Sequence, residues 1–312
     1  MNQDSGAGIP HEGQVVSSHG RHAAVEDAAR RRIRCRLRGR RLVAVCGDRV
    51  RWIEADGEGA EGLIIEVLPR ATRLVRINLR GEAEIVAANL TQLVAVIAPL
   101  PAPDLGLCDR YLAAAEWAGL KACVVANKSD LSGAQALLAS ALDLYAALGY
   151  PVAWSSKRAP GGARELASRL AGETSVLVGQ SGVGKSSLIN LLVPGVEASV
   201  REVSLATEAG RHTTSAATLH HLPSGGDLVD SPGVRDFAPP LPAPRAVAGG
   251  FREIAAAARN CRFRDCMHRQ EPACAVMAGA RDGTISAQRI ASYQRLVGQA
   301  EEFARRDPRI RR

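Results

Sequence analysis

The run Gly179-Gln180-Ser181-Gly182-Val183-Gly184-Lys185-Ser186 fills every specified position of the pattern G-x-x-x-x-G-K-[ST]. Glycines let successive backbone N–H groups turn toward phosphate oxygens, and a helix opening behind them adds its positive end. In that chemistry Lys185 reaches the β- and γ-phosphates and Ser186 coordinates Mg²⁺. The flanks agree, because 174–178 reads as a buried strand and 187–192, beginning with Ser187, as the opening of a helix. A second cluster, Cys261-x₄-Cys266-x-His268-x₅-Cys274, offers three thiolates and one imidazole. Four such ligands suit a closed tetrahedral Zn²⁺ site with no open position, so this metal is read as structural.

Asn127-Lys128-Ser129-Asp130 follows a buried apolar run and matches the N-K-x-D element by which GTPases resemble one another. Asp130 is placed to accept from guanine N1–H and N2–H₂; adenine has neither donor and would leave that carboxylate unpaired. Asn127 would fix the loop and the stem of Lys128 would pack on the base. Ser155-Ser156-Lys157, after the apolar run 151–154, resembles the weaker S-A-K base loop. Asp230-Ser231-Pro232-Gly233 resembles D-x-x-G, in which the carboxylate steers the Mg²⁺ water shell and the Gly233 N–H meets the γ-phosphate. Thr213 and Thr214 stand where a switch threonine must reach Mg²⁺, and Thr214 is the one assigned.

Only four of the 40 cationic side chains are lysine, and three of the four, Lys128, Lys157 and Lys185, lie in these motifs. An ammonium on a flexible stem has no guanidinium substitute, so lysine in an arginine-rich chain marks positions where chemistry decides. The motif order is permuted: N-K-S-D and S-S-K precede the phosphate loop, and D-S-P-G follows it. Circular permutation preserves a site when the original termini lie close together. Where Ras-like proteins carry a water-orienting glutamine after D-x-x-G, this chain has Val234, and His212 is the nearest replacement as catalytic group.

These residues need elements to hold them. The chain has 312 residues, 46% of them hydrophobic, which suits about two domains with real cores. In 33–40 apolar residues alternate with Arg34, Arg36, Arg38 and Arg40, a strand with one arginine face. Further short strands at 42–45, 50–53, 63–67 and 85–87 indicate a small barrel, of which the OB-fold is the commonest nucleic-acid-binding form; an SH3-like barrel reads the same way. After Asn89 the rhythm becomes βαβα, with apolar runs at 93–98 and 121–126 and helices at 109–118 and 134–148, which implies a parallel sheet. The Pro-rich stretch 238–244 is the clearest break. Beyond it lie a helix at 252–259, the Cys/His cluster and a long helix at 285–305 with Ile290, Tyr293, Leu296 and Val297 on one face. The expected domains are thus 1–89, a mobile lead and RNA-binding barrel; 90–240, an α/β P-loop GTPase domain; and 241–312, a helical zinc domain.

Charge follows this division. Residues 1–50 carry 10 arginines against 5 acids and 245–312 carry 14 against 7, whereas the middle is mildly acidic. Two basic ends suggest a polyanion, with nucleic acid the first candidate. Aromatics at 4% disfavour an extensive base-stacking surface. Seven cysteines are too sparse for a disulfide scaffold, and no stretch approaches a membrane span, so a cytoplasmic location is expected.

With its permuted order, Gly210-Arg211-His212-Thr213-Thr214, Asp230-Ser231-Pro232-Gly233-Val234, Gly47-Asp48-Arg49-Val50 and the Cys/His knuckle, the chain closely resembles the small-ribosomal-subunit-dependent, circularly permuted GTPases of bacteria. It departs from that pattern at Ser215 and Asp236. The resemblance implies an OB-fold, a permuted GTPase domain and a zinc domain. It also implies slow GTP hydrolysis to GDP stimulated by the 30S subunit, contact with 16S rRNA, and a role in late 30S maturation that includes release of an assembly factor. The expected ligands are GTP with Mg²⁺ and one Zn²⁺, and the expected state is a monomer. The competing expectation is a nucleotide-sensing RNA-binding module on another RNA particle, with incidental hydrolysis.

Overall fold

The computed structural model describes residues 9–57, 60–77, 82–159, 161–196, 217–231 and 239–306. The chain divides into two compact units, one built from 1–91, 170–176 and 186–235, the other from 92–169, 177–185 and 236–312.

The first unit contains a five-stranded barrel: β1 (His11–His19), β2 (His22–Glu26), β3 (Arg32–Leu37), β4 (Arg49–Gly57) and β5 (Ala60–Val67). Neighbours pair antiparallel except β3 with β5, and β1 with β4 closes the ring. That is the strand arrangement of an OB-fold. Strand β3 shows the expected alternation, with Ile33, Cys35 and Leu37 buried and Arg32, Arg34 and Arg36 exposed. The barrel core gathers Val15, Val25, Val50, Trp52 and Ile64 around them.

Two expectations fail here. Residues 42–45 form no strand, because their chain turns around the fully buried Asp48, whose carboxylate takes the Val45 N–H at 2.8 Å and the Arg70 guanidinium at 2.6 and 2.7 Å. Residues 85–87 lie not in the barrel but in β7 (Ala83–Ala88), which pairs with β6 (Arg73–Ile77) as a separate hairpin. Strand β2, in which Ala23 and Val25 are the buried apolar side chains, has no counterpart among the strands expected from the sequence.

After β8 (Gln92–Ile97), the second unit runs α1 (Leu105–Ala118), β9 (Lys121–Ala126), α2 (Ala134–Ala147), β10 (Val152–Trp154) and α3 (Arg164–Leu170). Strands β8, β9 and β10 pair in parallel, as the βαβα rhythm requires. Strand β11 (Thr174–Val178) leads through the glycine loop into α4 (Lys185–Leu192). In the first unit β11 pairs in parallel with β13 (Asp227–Asp230), β13 antiparallel with β12 (Ala217–His221), and β12 antiparallel with barrel strand β1.

A 3₁₀ turn (Pro244–Gly250), α5 (Arg252–Ala258), α6 (Ala275–Asp282) and α7 (Ala287–Arg306) complete the second unit. Ile290, Tyr293, Leu296 and Val297 of α7 are buried with Phe251, Ile254 and Ala113 of α1, so the apolar face read from the sequence is the packed one. Beneath it lies an ionic cluster. Arg289 and Asp109 are both fully buried and 2.8 Å apart; Glu253 takes the other side of the guanidinium at 2.6 Å, and Ser292 and Tyr145 donate to Asp109. No helix among the described residues is long and apolar enough to cross a membrane.

Candidate nucleotide site and metal centre

The glycine loop takes its shape from positive φ at Gly182 (+82°) and Gly184 (+98°). A Cβ at Gly184 would stand 2.5 Å from Asn127 Nδ2, so that position is barred to any side chain by close approach as well as by backbone angle. Val183 is buried, and Lys185 is 6% exposed, with Nζ donating to the carbonyls of Gly179 at 2.5 Å and Gln180 at 2.9 Å. An ammonium held by the loop's own carbonyls lies beside the backbone N–H groups that the loop turns toward an anion. Ser181 at the loop's tip is exposed.

Asn127, 3% exposed at the end of β9, joins three of the proposed motifs. Its Nδ2 donates to Val183 O at 2.8 Å, and its Oδ1 accepts from Ser155 Oγ at 3.1 Å. Lys128, at φ +61°, sends Nζ to the carbonyls of Gly182 and Leu100, both at 2.7 Å. Burial, then the nearby Lys157 charge, lowers the Lys128 pKa. Ser129 N–H donates to Ser155 O at 3.1 Å. The exposed Asp130 carboxylate accepts from the buried Ser156 hydroxyl at 2.5 Å. That bond, with the Arg158 and Lys157 charges, holds its carboxyl below the usual range. Lys157 itself is exposed.

Ser186 and Ser187 open α4 half-buried, and Asp230 ends β13 half-buried opposite Thr218. His212, Thr213, Thr214 and Gly233 lie outside the described residues. Two features of the site escaped the sequence reading. The sequence places Ser156 only in a base loop, yet it buttresses Asp130 while its Oγ accepts the Arg158 N–H at 3.1 Å. Leu100 carries no motif, and its role in holding Lys128 is a main-chain one that no side-chain pattern signals.

In the C-terminal cluster the ligand atoms of Cys261, Cys266, His268 and Cys274 all lie within 4.8 Å of one another. Cys261 Sγ and Cys274 Sγ are each 3.5 Å from His268 Nδ1 and 3.9 Å from each other. A tetrahedral Zn²⁺ at about 2.3 Å from sulfur and about 2.0 Å from nitrogen spaces its ligands by roughly 3.5–3.8 Å, so this donor set fits the ion. Burial, then hydrogen bonds with Cys274 and Cys261, pushes the Cys266 thiol up to about 12, which a cation among the sulfurs would reverse. Glu271 braces the knuckle by accepting the N–H groups of Met267, Arg269 and Gln270 at 2.6, 2.8 and 3.1 Å. Those donors outweigh partial burial and draw its carboxyl down to about 2. Tyr293 of α7 donates to Met267 O at 3.0 Å, tying the knuckle to the helical core.

The chain is similar to known proteins. A profile of the RsgA GTPase family matches residues 67–239. The small ribosomal subunit biogenesis GTPase RsgA of Ectopseudomonas mendocina (strain ymp) is 43% identical over 302 residues, covering 96% of this chain and 87% of that protein. The protein of the same name from Pseudomonas aeruginosa (strain LESB58) is 44% identical over 293 residues, covering 93% and 86%. Among solved structures, YjeQ from Thermotoga maritima superposes with a TM-score of 0.75 at 31% identity, over 94% of this chain and 99% of its own. YloQ, a circularly permuted GTPase, shares the fold at TM-score 0.73 and 23% identity, over 94% and 96%. With the N-K-S-D motif ahead of the glycine loop and a family match spanning both, the chain belongs to the RsgA GTPase family and is a circularly permuted GTP hydrolase.

Proposed function

We propose that this GTPase acts on the small ribosomal subunit, hydrolysing GTP slowly by itself and faster on the 30S particle, in late maturation that includes release of an assembly factor. The observation that carries the nucleotide part is the Asn127 junction, through which loops far apart in sequence converge on the glycine loop. In this reading the N–H groups of 179–187 and Lys185 bind the β- and γ-phosphates. Asp130 selects guanine, and Lys128, Ser129, Ser155, Ser156 and Lys157 shape the base pocket. The hard oxygens of Ser186, Thr214 and Asp230 suit Mg²⁺, which supplies charge neutralisation on the phosphates when bound. Gly233 meets the γ-phosphate, and His212 orients the attacking water in place of glutamine.

The ribosomal part rests on the names of the relatives and on two basic surfaces. On the barrel, Arg21, His22, Arg36 and Arg38 line a cleft of about 460 Å³, and Arg21 is braced by hydrogen bonds to the carbonyls of Leu37 and Gly39. Around the metal ligands Arg259, Arg262, Arg264 and Arg269 are all exposed. Such arrays suit an RNA phosphate backbone.

GTP turnover with and without purified 30S subunits tests the reading. Stimulation that His212→Ala abolishes while nucleotide still binds is the expected result. Turnover unaltered by 30S subunits and by their rRNA would overturn the ribosomal assignment and favour a nucleotide-sensing RNA module with another partner.

A further inference from the structure

Strand β12 is held along both edges within the first unit. Ala217 and Thr218 register with Ser18 and Ser17 of barrel strand β1, and on the other side Thr218 faces Asp230 and His221 faces Asp227 of β13. Among the described residues that seam with the barrel is two register pairs long.

A side-chain bridge reinforces it. His221 Nδ1 lies 2.6 Å from the Asp227 carboxylate, and Nε2 lies 2.7 Å from the carboxylate of Glu26, on barrel strand β2. Each ring nitrogen therefore faces one carboxylate, and which of them donates depends on the tautomer. Arg32 of β3 stands 3.4 Å from the second oxygen of Glu26, so a guanidinium joins the cluster. Among the described residues, the titratable groups around the cluster include His220 and Asp230, and Cys46 and Asp48 near Asp227. Burial, opposed by Asp230 and aided by Arg32, lowers the His220 pKa; burial, then Asp48 and Asp227, pushes the Cys46 thiol up to about 12.

We infer that His221 is a positioning residue that couples the barrel to the Asp230 segment. Asp227 and Asp230 belong to one strand, separated by about 10 Å of extended chain, so a displacement of β13 reaches both. The contacts of its two ring nitrogens with Asp227 and Glu26 link β13 to β2. A change at Asp230 on exchanging GDP for GTP is thereby felt in β1 and β2, and a strand of RNA seated on the barrel biases Asp230 in return, because coupling between two sites is reciprocal.

The inference rests on the nucleotide reading of Asp230 and is independent of which RNA binds. Hydrogen exchange of the full chain with Mg²⁺ and either GDP or a non-hydrolysable GTP analogue tests it. Protection over 177–190 reports nucleotide binding, and the difference between the two nucleotides over 11–26 reports coupling. In the wild type that difference is present. In His221→Ala it falls at least about fivefold while protection over 177–190 persists and the barrel stays folded. Glu26→Gln keeps side-chain volume and an acceptor toward Nε2 but removes one charge, and it gives a smaller loss of the same sign, which covers the case of an unfolded His221→Ala barrel. A difference over 11–26 that is absent in the wild type despite protection over 177–190, or that survives both substitutions, overturns the inference. Absence of protection over 177–190 with either nucleotide removes the nucleotide reading, and the inference falls with it.

Discussion

The Asn127 side-chain amide donates to the Val183 main-chain carbonyl across 2.8 Å, so loops 56 residues apart in the chain share one buried hydrogen bond. Removing the amide leaves that carbonyl and the Ser155 hydroxyl without their partner in a dry setting. Asn127→Ala is therefore expected to cost about 1–3 kcal/mol of stability and to weaken GDP binding at least about tenfold. Denaturant unfolding and titration with a fluorescent guanine nucleotide measure the two effects; unchanged binding would show that the loops hold their shape without the junction.

Asp130 gives a test of base choice. Asp130→Asn is expected to erode discrimination of GTP over ATP by at least about tenfold, since the amide presents an N–H where guanine presents its own. Competition between the two nucleotides reads this directly.

The same carboxyl has a pH signature. Its pKa is lowered, chiefly by the Ser156 hydroxyl, so the charged form survives as pH falls through the ordinary carboxylate range near about 4 and guanine affinity is lost only below it. Ser156→Ala is expected to move that loss to higher pH. Coincident pH profiles for wild type and Ser156→Ala would refute the role given to Ser156.

Arg289 lies fully buried between Asp109 and Glu253, with Phe251 under its guanidinium at 4.5 Å. Arg289→Ala strands two carboxylates in the core, and a loss of about 3–5 kcal/mol is expected in denaturant unfolding. Arg289→Lys should recover only part of it, because an ammonium cannot present the two-sided fork.

One Zn²⁺ per chain is expected by elemental analysis, lost in Cys266→Ala. Glu271→Ala retains all four ligands and frees the N–H groups of Met267, Arg269 and Gln270. A drop of about 10–100-fold in zinc affinity is expected, with chelator competition as the measurement. A fully metal-loaded Cys266→Ala protein would count against the site.

What was legible in the sequence was local. The glycine loop, Asn127 to Asp130 and the Cys/His knuckle are short because each chemistry needs its groups within a few residues, and spacing along the chain then carries the information. Periodicity served equally well where one face is buried and the other wet, as in Arg32–Leu37 and on the Ile290, Tyr293, Leu296 and Val297 face of α7. It failed where a long-range partner decides. Residues 42–45 look like a strand but their chain turns around Asp48 and Arg70, and β2 carries too few apolar residues to stand out before its neighbours pair with it.

The sequence by itself thus determined which groups are available: a glycine loop, an N-K-S-D loop and a Cys/His cluster, with the first two in permuted order. Only the tertiary structure decided what holds them. Ser156 became a support for Asp130, Leu100 an anchor for Lys128, and His221, beside Asp227, a link to Glu26 across 195 positions of sequence. Local pattern registers the burial and spacing of a residue's own segment. A hydrogen bond between distant segments depends on where folding brings the second partner, and neither segment alone encodes that.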